Sequence, residues 1–110
     1  MLRPFQFKCE CSKDDLIDAV EAAAKELNAL NLNDQTRRAI VRAIGTNRRF
    51  SVHGNNGPYI EIKENGNGRS YEVNVYRFAC EHASEGIRDE TTQGTVAVLE
   101  EKLGPYLSQN

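Results

Sequence analysis

Two short segments pair metal-ligating side chains at the same spacing: Cys9-Glu10-Cys11 near the start of the chain and Cys80-Glu81-His82 near its end. Successive side chains of an extended strand point to opposite sides, so each segment would set two ligands on one side of the backbone. Three thiolates and one imidazole are a structural zinc set. The spacing is loose, because zinc pairs usually come as C-x2-C on a turn. Both pairs also fall at the C-terminal ends of strands, so they meet easily only if those strands run parallel. The competing reading makes Cys9 and Cys80 buried thiols and His82 a loop histidine. A cysteine nucleophile with His53 or His82 as base is the other chemistry open to these residues. No nucleophile motif surrounds them, so no catalytic residue is assigned and an enzyme is not expected.

Charge offers a second kind of chemistry. The net charge of −2 conceals an uneven layout: residues 10–33 carry six acids and two bases, 34–50 one acid and five arginines, and 79–110 six acids and two bases. Arg37, Arg38, Arg42, Arg48 and Arg49 would suit contact with nucleic-acid phosphates. Stacking candidates nearby are Phe50 and Tyr59, tryptophan is absent, and the net charge has the wrong sign for a dedicated nucleic-acid protein. The carboxylates Glu10, Asp14, Asp15, Asp18 and Glu21, then Asp89 and Glu90, would instead occupy a basic site on a protein target, with charge steering the encounter. The plainer reading of both sets is solvated faces that pair with each other. Gly54-Asn55-Asn56-Gly57 and Asn65-Gly66-Asn67-Gly68 have the composition of phosphate cradles, but neither leads into a helix, and they read as hairpin turns.

These residues must be positioned by a small set of elements. Residues 59–78 alternate apolar and polar positions on both sides of Asn65-Gly66-Asn67-Gly68, the pattern of a β-hairpin. With Asn67-Gly68 as the turn, Ile62 faces Val73, Ile60 faces Val75, and Lys63 faces Glu72; a slip to Gly66-Asn67 would set Glu61 against Glu72, which is unfavourable. Residues 49–53 read as a preceding strand joined through Asn55-Asn56-Gly57, with Phe50 opposite Ile62 and Val52 opposite Ile60. Residues 2–11 form a first strand with Phe5, Phe7, Cys9 and Cys11 on one face and Gln6, Lys8 and Glu10 on the other; Pro4 suits an edge.

Ser12 is an N-cap type, and Asp14 and Asp15 follow in the first turn of a helix. Leu16, Val20, Ala23, Leu27 and Leu30 make its apolar stripe, and the run Ala22-Ala23-Ala24 lets another element approach closely. Asn28, Asn31, Asn33 and Asp34 mark a break and a new cap, and a second helix follows to about Ile44, with Gly45 suited to stop it. Ile40, Val41 and Ile44 are expected on its buried side, with Arg38 and Arg42 opposite and Arg37 snorkelling at the edge. Residues 83–94 read as a loop. Val96, Leu99 and Leu103 suggest a last helix ended by Gly104-Pro105, although Thr-Val-Ala-Val-Leu has equal strand character.

The chain of 110 residues is one domain's worth, and its 39% hydrophobic and 27% charged content is that of a soluble globular protein. There is no apolar run of membrane-spanning length, and the N-terminus lacks the apolar centre of a signal peptide. With an odd cysteine count, a cytoplasmic protein is expected, monomeric or homodimeric. The fold class expected is α+β: a two-layer domain of order β-α-α-β-β-β-α, with helices on one face of a mostly antiparallel sheet. This order is similar to that of small ribosome-dependent RNase toxins of the RelE type. The likeness is of order alone and carries no motif, and such toxins are typically basic where this chain is acidic. The function expected is a small acidic protein-binding domain: an inhibitor, an immunity protein or a mobile-element accessory protein of the anti-CRISPR kind. Nucleic-acid contact through residues 37–49, or a structural zinc domain using Cys9, Cys11, Cys80 and His82, are the alternatives.

Overall fold

The Ser12 hydroxyl accepts a hydrogen bond from the Asp15 N–H at 3.1 Å, which starts the first helix where an N-cap residue should. In this computed structural model, structure is described for residues 5–27, 34–46, 48–51, 58–66, 68–76 and 85–108, with the backbone alone at 34, 35, 51 and 85–91. The elements are β1 (Phe5–Glu10), α1 (Lys13–Leu27), α2 (Asp34–Ala43), β2 (Arg49–Ser51), β3 (Tyr59–Glu64), β4 (Ser70–Tyr76) and α3 (Glu85–Leu103), followed by a 3₁₀ turn at Gly104–Tyr106. The α+β order β-α-α-β-β-β-α expected from the sequence is therefore the observed one. The sheet order is β1-β4-β3-β2, antiparallel throughout.

Alternation decides which face of the sheet is dry. Ile60, Ile62, Tyr71, Val73, Val75 and Cys9 point to one side and are buried. There they join Leu16, Ile17 and Val20 of α1, Ile40 of α2, and Leu99 and Leu103 of α3 in a single core. The helices thus cover one face. Ala23 and Ala24 are also buried in that core, and α1 and α3 lie side by side. Small side chains permit that approach, and Lys102 of α3 reaches Glu26 of α1 at 3.2 Å to tie the pair.

The β3–β4 hairpin has the expected register, with Ile62 opposite Val73, Ile60 opposite Val75 and Lys63 opposite Glu72. Gly66 and Gly68 carry positive φ, the conformation for which the Asn-Gly repeats select. The β2–β3 register differs from expectation: Phe50 faces Ile60, not Ile62, while Val52 lies outside the described residues. A shift of two keeps Phe50 on the same face, so hydrophobic patterning could not detect it. Charge could have: the expected register sets Arg49 opposite Lys63, whereas the observed one sets it opposite Glu61.

Two further expectations are corrected. Of residues 83–94, read as a loop, 83 and 84 lie outside the described residues and the rest are helix, since α3 begins at Glu85; Thr92, Thr95, Leu99 and Leu103 are buried at helical spacing along it, and the run from 95 to 103 is helix. Val41 is not on the buried side of α2 but 42% exposed, and Ala43 takes its place beside Ile40 and Ile44. The end of α2 is held firmly. Gly45, at φ 72°, donates its N–H to the Ile62 carbonyl at 3.1 Å, and the Thr46 hydroxyl donates to the Arg42 and Ala43 carbonyls. At the opposite edge of the sheet, Leu107 bridges Cys9, and the Ser108 N–H donates to the Lys8 carbonyl at 2.8 Å.

Candidate interaction surfaces

The carboxylates singled out in the sequence separate into two groups. Glu10 ends β1 and is exposed; Asp14 and Asp15 project from the first turn of α1 and are exposed. No ion pair engages these three among the described residues. Asp18 and Glu21 lie further along α1, where Arg37 of α2 crosses it. One guanidinium nitrogen of Arg37 donates to Asp18 at 2.9 Å and to Glu21 at 3.1 Å. The bond to Asp18, aided by the charge of Glu21, pushes the Arg37 pKa further up, so the guanidinium stays charged. Asp18 and Glu21 are thus engaged within the fold. Asp89 and Glu90 belong to α3, with side chains outside the described residues.

Beside Glu10 the surface dips into a hollow of about 450 Å³ lined by Glu10, Cys11, Arg69 and Ser70. The strand pairing makes it: Cys11 N–H donates to the Arg69 carbonyl at 2.9 Å, so the chain leaves β1 alongside the start of β4 and turns into α1. Glu10, Asp14 and Asp15 therefore surround one junction, each on a rigid element.

The five arginines do not form one patch. Arg37 is held by α1. Arg49 lies on the sheet face away from the helices, 3.7 Å from Glu61 and stacked 3.9 Å from the centroid of Tyr76. Arg38 and Arg42 remain on the outer side of α2, where with Arg37 and Val41 they line a shallow groove of about 380 Å³. Arg48 is exposed between α2 and β2.

For zinc, the parallel arrangement that would bring the two ligand pairs together is not met. β1 runs antiparallel to β4, so Cys9 sits opposite Tyr71 at the start of β4, whereas Cys80 and His82 follow that strand's other end. Cys80, His82 and His53 lie outside the described residues, and no group of three metal-ligating side chains occurs among the described ones. Cys9 and Cys11 are free and buried. Burial, with Cys11 adding to it, pushes the Cys9 thiol up to about 11, the opposite of what a nucleophile needs. Burial and then Asp15 push Cys11 up as well.

One polar cluster escaped the sequence reading. On the open face, Glu61 is only 6% exposed and accepts from Tyr76 at 3.0 Å and from Asn74 at 3.3 Å, with Lys63 at 3.9 Å. Asn74 also donates to Glu72 at 3.1 Å, while its own Oδ1 has no partner among the described residues. The signal was available: in this register Glu61 stands between Arg49 and Asn74 on its two neighbouring strands. A buried carboxylate with that many donors acts as a fastener between strands.

No family model, curated protein or solved structure matches the chain. No helix among the described residues is long and apolar enough to cross a membrane.

Proposed function

We propose that this chain is a protein-binding domain that occupies a basic site on a protein target through Glu10, Asp14 and Asp15. The observation that carries the reading is that these three exposed carboxylates share one junction with no cation pairing them among the described residues, while the neighbouring Asp18 and Glu21 are taken by Arg37. Carboxylates held on a strand end and a helix start lose little freedom on binding, and their common sign speeds encounter with a basic partner. The raised Cys9 thiol argues against that cysteine as a nucleophile.

The test uses the whole protein as bait in lysate of its native host. The captured protein is identified by mass spectrometry, purified, and its association rate measured at low and moderate salt. Glu10→Lys combined with Asp14→Lys and Asp15→Lys should slow association at least about tenfold and flatten its salt dependence. Lysine in the first turn of α1 also weakens the helix by about 0.3–1 kcal/mol per site. Circular dichroism therefore accompanies the measurement, and Glu10→Lys alone, which leaves the helix intact, should show part of the effect. Asp18→Asn should leave the rate unchanged. No captured protein, or equal rates for wild type and the reversed variants, would sink the reading.

A further inference from the structure

Arg38 and Arg42 lie one turn apart on the outer side of α2, both exposed, with Val41 42% exposed beside them. No ion pair reaches either arginine among the described residues, in contrast to Arg37 on the same helix. Val41 leaves 42% of its surface exposed, and valine has only modest helix propensity. The face is also rigid: Ile40, Ala43 and Ile44 anchor α2 in the core, and the Gly45 N–H fixes its end to β3. The result is a groove of about 380 Å³ with an apolar floor of Val41 and arginine stems and a rim of guanidinium groups.

We propose that this groove docks an acidic segment of a partner protein, which sets one apolar side chain on Val41 between carboxylates held by Arg38 and Arg42. Charge complementarity selects an acidic occupant, since a guanidinium fork matches a carboxylate in two parallel hydrogen bonds. The exposed valine selects peptide over nucleic acid. A phosphate backbone brings no apolar group to cover Val41, and base stacking needs an aromatic ring, which is absent from the described lining of the groove. Arg49, which would lengthen a row of phosphate contacts, is drawn to the open sheet face by Glu61 and Tyr76. A net charge of −2 gives no long-range attraction for a polyanion, whereas recognition within one groove works at contact distance. This surface is separate from the Glu10, Asp14 and Asp15 junction and does not depend on it.

The experiment pans a random dodecapeptide phage library against the immobilised full-length protein. Enriched peptides should carry an apolar residue flanked by Asp or Glu. A fluorescent synthetic copy of the best one should lose at least about tenfold in affinity for Arg42→Ala and for Val41→Ser, and again when its acids become amides. These side chains are exposed, so the variants keep the fold, which circular dichroism checks. Failure to enrich such peptides would overturn the proposal, as would binding that ignores Val41→Ser. So would tighter binding of a DNA duplex that depends on Arg38 and Arg42, ignores Val41 and falls steeply with salt; that outcome would assign the groove to phosphates.

Discussion

Cys9 illustrates how one side chain can reveal its surroundings through titration. Its thiol is buried near the C-terminal end of β1 and held up to about 11, against an ordinary value of 9.0. The unfolded chain releases that proton near pH 9, while the fold retains it until near pH 11. Stability contributed by the neutral thiol is therefore complete below pH 9 and is lost as pH rises through that window. Cys11 and Tyr71 are shifted the same way by burial and titrate alongside, so Cys9→Ala is the informative comparison. The variant should be less stable than wild type at pH 8, and the gap should narrow by about 1–2 kcal/mol by pH 10.5. Urea unfolding at the two pH values measures it; a constant gap would mean that the Cys9 site does not favour the neutral thiol. At this scale the sequence was readable in kind but not in allegiance. The plainer reading, acidic and arginine faces that pair with each other, agrees with the bridge from Arg37 to Asp18 and Glu21, yet which residues meet follows from how α2 crosses α1, which no local pattern encodes.

α3 shows where element reading fails and why. Its buried line includes Thr92 and Thr95, whose hydroxyls hide a helical period from any count of apolar residues. Gly86 and Gly94 add breakers to the same stretch. A Cβ at Gly94 would meet nothing within 4 Å, and the backbone there does not need positive φ. Gly94→Ala should therefore stabilise the protein by about 0.5–1 kcal/mol, read as a higher urea midpoint at unchanged slope. No gain would argue that α3 is not helical at that turn. The β3–β4 hairpin is the opposite case. There alternation, turn glycines and the Lys63–Glu72 pair all select one register, and the observed register is that one. Between β2 and β3 the register read from the sequence, Phe50 opposite Ile62, is off by two, a slip that hydrophobicity could not detect but that the pairing of Arg49 with Glu61 favours.

At the scale of the molecule, the two edges of the sheet are finished differently. β2 is a short edge of three residues. β1 is longer, and the chain end lies against it through Leu107 and Ser108. Truncation after Leu103 would leave the outer side of β1 unpaired, a template for a second chain. The truncated protein should form dimers or larger species in sedimentation at micromolar concentration, with faster amide exchange around Lys8 and Cys9. A monodisperse monomer with unchanged exchange would show that the tail is dispensable.

That same contact between Lys8 and Ser108 has a consequence for how the protein is made. β1 precedes α1 and α2 in chain order, yet its neighbours in the sheet are β4 and the pair Leu107 and Ser108, which follow much later. While α1 and α2 emerge, Phe7 and Cys9 have no strand to lie beside, and closing loops of that length is slow compared with forming a helix or the β3–β4 hairpin. During synthesis β1 is therefore an unpaired, half-apolar strand, open to rescue or capture by chaperones until β4, Leu107 and Ser108 have followed it.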